Sequence, residues 1–125
     1  MILGIGIDII SVDRIRTFTN RHGDRGRRRL FTPGELADCL GRADPAESLA
    51  ARFAAKEAFF KAVRAGWGAG GDWTEVEVVR GARGAPSLAL RGRAAEAVRT
   101  AGATRTHLSL THAGGIAAAV VVLES

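Results

Sequence analysis

A chain of 125 residues, 46% hydrophobic and 25% charged, has room for one modest core and is too apolar to be wholly disordered, which predicts a single domain over residues 1–125. Its longest apolar runs, 1–10 and 116–123, fall short of the roughly 20 residues a membrane-crossing helix needs, and no secretory leader is recognisable. With one cysteine, Cys39, no internal disulfide can form, so a cytoplasmic protein without a membrane partner is expected.

The balance of 18 Lys and Arg against 13 Asp and Glu gives +5. Only Lys56 and Lys61 are lysines; the other basic residues are arginines. Two readings stand side by side: an Arg-rich coding bias, or a phosphate-bearing or acidic partner held by two-pronged guanidinium contacts.

In chain order, residues 2–10 alternate as a strand, with Leu3, Ile5, Ile7 and Ile9 on one face and Gly4, Gly6 and Asp8 on the other. The glycines clear space on the face that carries the acid, so something approaches the backbone there. Ser11 is a candidate cap for a helix over 12–21, with Asp13 in its first turn. The basic, glycine-broken stretch RHGDRGRRRLF follows as a loop or solvated helix end. Thr32-Pro33-Gly34-Glu35 has the pattern of a capping box with proline in the first turn, and that short helix should stop near Gly41, before a turn in RADPAE.

Residues 48–65 form the strongest predicted helix, with Leu49, Phe53, Phe59, Phe60 and Val63 towards one side and Glu57, Lys61 and Arg64 on its flank. A glycine-rich connector, GWGAGGD, leads to the strands TEVEVVR and SLALR around the turn GARGAP. A helix over 93–101 closes at Gly102, and THLSLT and IAAAVVVLE are two further strands around HAGG. The order β-α-α-α-β-β-α-β-β predicts an α+β fold, an antiparallel sheet packed against one long helix and shorter ones.

Several residues invite a chemical reading beside a plain one. Asp8, a carboxylate among apolar side chains, is either a turn residue reaching the first helix or a metal ligand or general base. Glu57 and Lys61 have the spacing of an ordinary surface ion pair, but they border the apolar stripe instead of standing opposite it. Asp8 and Glu57 on a packed strand and helix would suit Mg²⁺, with water and substrate phosphate completing its shell, and Lys61 could then meet phosphate. Arg52, on the same helix, reaches a phosphate or makes a structural pair. His112, at a strand-to-turn corner, is a packing group or a ligand contact, and Ser109 shares a strand face with Thr111. His107 has no special context, and Cys39 belongs to an apolar helix face. There is no Walker loop, zinc spacing or nucleophile elbow.

Together MILGIGIDIISVDRI, FTPGEL, ARFAAKEAFFKAV, GAPSLAL and HLSLTHAGGIAAAVVV resemble the holo-[acyl-carrier-protein] synthases, the short stand-alone 4′-phosphopantetheinyl transferases, over nearly the whole chain. The resemblance implies Mg²⁺-dependent transfer of 4′-phosphopantetheine from coenzyme A to a serine of apo-acyl carrier protein, releasing adenosine 3′,5′-bisphosphate. It implies Asp8 and Glu57 as metal carboxylates, Lys61 as the lysine near the reacting phosphate, and Ser109 and His112 towards the nucleotide end of coenzyme A, where Arg52 would add a phosphate contact if it is not a structural pair. Arg14, Arg21 and Arg28 match the arginines that meet the acidic helix of the carrier protein, with Arg25, Arg27 and Arg29 able to substitute. The family implies homotrimers with active sites between protomers, and the carrier is that of fatty acid biosynthesis, of a polyketide system or a domain of a large synthase. Two segments depart from its pattern: Arg64-Ala65-Gly66-Trp67-Gly68 stands where a Gly-Thr-Gly turn is usual, and Ser-Leu-Thr-His-Ala where Ser-x-Ser-His-Asp is common. A basic nucleic-acid-binding module is the rival reading; few aromatics, no tyrosine and no recognisable motif speak against it. A carrier-binding scaffold without catalysis is another, against which stand Asp8, Glu57 and Lys61.

Overall fold

Gly4 and Gly6 set the principal contact of the molecule. In the computed structural model, which describes residues 1–125, strand β1 (Ile2–Ser11) presents both glycines to the long helix α3 (Pro45–Ala62). A Cβ on Gly6 would stand 1.8 Å from the carbonyl oxygen of Ala58, and one on Gly4 2.3 Å from that of Ala62. No larger residue allows this approach. The helix answers with small side chains, including Ala50, Ala54, Ala55, Ala58 and Ala62, all buried. What the cleared strand face admits is therefore the protein's own helix.

The remaining elements are α1 (Val12–Leu30), α2 (Pro33–Leu40), β2 (Val76–Arg80), β3 (Pro86–Leu90), α4 (Gly92–Thr100), β4 (Arg105–Ala113) and β5 (Ile116–Glu124). The expected order holds, and the fold is α+β. The strands divide into two antiparallel sheets, β1-β5-β4 and the hairpin β2-β3. Register on the larger sheet puts Gly6, Val121 and Leu108 in one row facing α3, and Ile7, Val120 and Ser109 in the next row on the opposite, open face. Ile5, Ile7 and Ile9 are more than 60% exposed there. No helix is long and apolar enough to cross a membrane.

Four boundaries differ from expectation. α1 continues to Leu30 and does not stop at 21; Gly23 (φ 60°, ψ −149°) breaks its path, and Gly26 and Leu30 then bury a face that the polar stretch conceals. Ser11 precedes the helix but makes no side-chain cap. α3 begins at Pro45, taking the second half of RADPAE, because Asp44 is non-helical (φ −127°, ψ 89°) and proline suits a first helical turn. It ends at Ala62 and not Ala65, because Arg64 turns left-handed at φ 59°. Thr74 and Glu75 lie in a 3₁₀ turn, Trp73–Glu75, ahead of β2.

The capping box of α2 forms as expected: Thr32 Oγ1 accepts from Glu35 N, and Glu35 Oε1 accepts from Thr32 N. Glu35 does more than cap. Its Oε1 also accepts from Lys56 Nζ at 2.7 Å, and its Oε2 from the N–H of Val78 at 2.9 Å. Lys56 donates further to the carbonyls of Trp73 and Val76. Both side chains are fully buried, so this ionic knot fastens α2, α3 and β2 together. Burial pulls the Lys56 ammonium below its ordinary value, with Glu35 opposing. Of the two lysines that stand out in the composition, this one is structural.

Candidate active site

Asp8 follows Gly4 and Gly6 on the α3 side of β1, where the close strand–helix approach brings it to the last turns of α3. Its partner is Lys61, whose Nζ donates to Asp8 Oδ1 at 3.1 Å and to the carbonyl of Ile7 at 3.0 Å. The reading of Asp8 as a helix-capping residue fails: the N–H of Val12 goes to the Gly115 carbonyl. Nor does Lys61 close the simple pair with Glu57 along the helix; it turns to the strand.

Glu57 is half-buried beside this pair. Burial, and after it the Asp8 carboxylate, hold its carboxyl above the usual carboxylate range, while Lys61 and Arg14 pull the other way. The two acids named from the sequence thus share one electrostatic environment with two cations, one of them the exposed Arg14 of α1. Each acid stays close to the other because the backbones carrying them are locked by Gly6 against Ala58. Two hard oxygen donors on separate elements, one of them raised by burial and then by the other's charge, fit a divalent cation that keeps water and phosphate as its other ligands.

A second site lies at the far end of α3. Arg42, Ser48, Arg52, Arg80, Thr111 and His112 line a cavity of about 310 Å³. Arg52 is buried, pairs with Asp38 and donates to the Ser48 carbonyl, yet its Nε has no partner. Asp38 also draws Arg42 and Arg80, at 3.4 and 3.7 Å, so three guanidiniums surround one carboxylate. That excess of positive charge suits an anion. His112 Nδ1 lies 3.1 Å from Glu47 Oε1.

Register separates the remaining candidates. His112 is opposite Ala117 on the helix-facing side of the sheet, whereas Ser109 is opposite Val120 on the open side. Ser109 and His112 therefore do not meet within the chain. Glu47 and Glu57 are ten residues apart on α3, about 15 Å along its axis, so the His112 cavity and the Asp8–Glu57 pair are distinct places on one protomer. Arg14, Arg21 and Arg28 are exposed on α1, but the break at Gly23 takes Arg28 out of helical phase with the other two. Arg25 and Arg29 border a groove of about 360 Å³ with Phe18 and His22, while Arg27 is tied to Asp24.

Some residues escaped the sequence reading. Arg42 and Arg80 lie in unremarkable contexts and converge only through Asp38. His107, dismissed for want of context, lies 2.9 Å from Glu124 on the neighbouring strand. Glu35 was legible as a cap but not as the buried partner of Lys56, because the linear spacing gives no hint of their contact.

Known proteins align with this arrangement from end to end. The family model of the 4′-phosphopantetheinyl transferase superfamily matches residues 4–121. A holo-[acyl-carrier-protein] synthase of Nitratidesulfovibrio vulgaris is 49% identical over 125 residues, covering all of both chains. One from Anaeromyxobacter dehalogenans is 50% identical over 127 residues, covering 99% of this chain and 97% of its own. Among solved structures, the Neisseria meningitidis holo-[acyl-carrier-protein] synthase superposes with a TM-score of 0.91 at 34% identity, all of both chains being covered. The Helicobacter pylori enzyme in complex with coenzyme A gives 0.85 at 31% identity, covering 96% of this chain and 99% of that one.

Proposed function

Because the chain belongs to the 4′-phosphopantetheinyl transferase superfamily, and within it to the holo-[acyl-carrier-protein] synthases, we propose that it catalyses the Mg²⁺-dependent transfer of 4′-phosphopantetheine from coenzyme A to a serine of apo-acyl carrier protein. The other product is adenosine 3′,5′-bisphosphate. The single observation that carries the site assignment is the β1–α3 geometry: Gly6, two residues before Asp8, packs on the carbonyl of Ala58, the neighbour of Glu57, and Lys61, one turn beyond Glu57, bonds Asp8 Oδ1 at 3.1 Å. When Mg²⁺ is bound by these two carboxylates, it offsets charge on the phosphoryl oxygens and on the departing bisphosphate.

The chain's own groups account for the rest. The carrier serine oxygen forms a bond to the phosphorus that bears pantetheine, as the bond from that phosphorus to the bridging oxygen breaks and its electron pair leaves with the bisphosphate. Glu57 takes the hydroxyl proton. Its carboxylate stands beside Asp8 and Lys61, where the diphosphate would be. Lys61, held by Asp8 and the Ile7 carbonyl, has a further N–H to offer phosphate and serves as an electrostatic clamp. In the second cavity the orphaned Nε of Arg52 and the His112 ring supply donors for the nucleotide end of coenzyme A.

Arg14, Arg21 and Arg28 are exposed on one helix and suit an acidic carrier, steering encounter and orientation. A homotrimer with sites between protomers accounts for two otherwise unrelated facts. The open sheet face leaves Ile5, Ile7 and Ile9 bare, and the two halves of the coenzyme-binding set are separate places, about 15 Å apart along α3, in one protomer. Residues 1–125 then form one transferase domain, and the lone buried thiol Cys39 suits a cytoplasmic setting.

The decisive experiment mixes the protein with coenzyme A, Mg²⁺ and apo-acyl carrier protein, and weighs the carrier by mass spectrometry. A gain equal to one phosphopantetheine, lost on chelation of Mg²⁺, is expected. An unchanged carrier mass overturns the reading.

A further inference from the structure

Where α3 ends, the backbone enters a conformation that favours glycine, and an arginine occupies it. Val63 closes the helix with its N–H donating to the Phe59 and Lys61 carbonyls. Arg64 follows at φ 59°, its own N–H donating to the Lys61 carbonyl at 3.1 Å. A side chain is strained in this left-handed region, and a helix that ends this way ordinarily does so with glycine. Nothing inside the chain offsets the strain: Arg64 is exposed, and its guanidinium takes part in no ion pair and no side-chain hydrogen bond. Strain uncompensated by internal contacts points to a use for the side chain outside the fold.

The position narrows that use. Arg64 is three residues beyond Lys61, hydrogen-bonded back to it, at the helix end that lies over Gly4 and Gly6 of β1. Lys61 is partly committed to Asp8 and to the Ile7 carbonyl. Within the site, Lys61 and Arg14 already face Asp8 and Glu57, so a cation with no partner of its own is the one left free to follow an incoming diphosphate. Arg64 is the next cation along the chain. It is uncommitted, and its planar fork matches phosphate oxygens.

We propose that Arg64 is a coenzyme A-binding residue, its guanidinium closing on the diphosphate oxygens alongside Lys61. The assignment rests on the phosphopantetheinyl transfer reading, and the experiment separates the two. Arg64→Gly relieves the backbone while deleting the charge; Arg64→Lys keeps charge without the fork. Thermal unfolding, calorimetric titration with coenzyme A, and steady-state kinetics against both substrates are measured on each.

For Arg64→Gly, a melting temperature within about 3 °C of the parent or above it is expected. The dissociation constant and KM for coenzyme A should both rise roughly tenfold, the loss expected for a charge-assisted hydrogen bond. The KM for carrier protein should stay within about twofold, and Arg64→Lys should recover part of the affinity for coenzyme A. Unchanged coenzyme A binding in Arg64→Gly overturns the proposal. So does a rise confined to the carrier KM, which would assign Arg64 to docking, and so does a clear fall in melting temperature, which would show the side chain held by the fold. A parent protein that binds coenzyme A but transfers nothing would instead defeat the transferase reading, and the calorimetric arm would still decide on Arg64.

Discussion

An ionised Glu57 opposes folding. Its carboxyl is held above the ordinary value in the folded chain, chiefly by burial and then by Asp8, so the folded state favours the protonated form. The stability this contributes is fully present below the unfolded value and is lost as pH rises through the raised folded one. Glu57→Gln should therefore melt no lower than the parent at neutral pH, while transfer falls by at least about 100-fold for want of the carboxylate. A variant that loses stability at pH 7, or keeps its activity, contradicts the role given to Glu57. Asp8→Asn removes the second cause of the shift. In the Mg²⁺-free protein, carboxyl NMR should show Glu57 titrating at lower pH in that variant, and an unmoved titration would mean that the two acids do not share a field. At this scale the sequence was informative about identity. Asp8, Glu57 and Lys61 were legible as unusual residues, whereas the switch of Lys61 from Glu57 to Asp8 was not, since a helical spacing of four cannot reveal a strand passing beside it.

At the scale of elements, the β1–α3 contact decides whether the site exists. Gly6→Ala would drive a methyl group into the Ala58 carbonyl and push the helix off the strand. Overpacking of this kind costs about 1–3 kcal/mol, and a displacement of only ~1 Å between reacting groups can cost on the order of 100-fold in rate. The variant should thus lose more activity than its modest fall in melting temperature suggests, measured as unfolding and transfer on the same preparation; full activity would show that this contact does not hold the site. The alternation of residues 2–10 made the strand and the glycine face readable. Helix boundaries were less so. α1 runs past its apparent end because Gly26 and Leu30 find burial against the rest of the fold, a gain that local polarity hides. Lys56 and Glu35, 21 positions apart, were recoverable only once α2 and α3 lay side by side.

At the scale of the whole molecule, the open face of the β1-β5-β4 sheet remains unaccounted for by one chain. Ile5, Ile7 and Ile9 stand in rows with Val122, Val120 and Ala118, and with His107, Ser109 and Thr111 of β4. Burying such a face against further copies also offers the means to bring a His112 cavity to an Asp8–Glu57 pair of another protomer. Ile7→Glu should convert a trimer into monomers by sedimentation equilibrium, and the monomers should transfer phosphopantetheine poorly even though Ile7 points away from the carboxylates. A parent protein that is monomeric and fully active at assay concentration would refute this arrangement. The same geometry gives Ser109 a place: on the open face it can meet coenzyme A only across such an interface.

What the sequence determined by itself was chemical type and local form: the α+β order, the capping box at Thr32, the acid on a glycine-cleared strand, and the acid–lysine pair on the strongest predicted helix. Those features are set by neighbours within a few positions, through side-chain alternation, helical spacing and cap chemistry. Tertiary structure decided which charged groups face one another. It buried Lys56 with Glu35, gathered Arg42, Arg52 and Arg80 around Asp38, and sent His112 and Ser109 to opposite faces of one strand. Such pairings depend on the register of strands and the approach of a helix, which are fixed by close packing between segments far apart in the chain.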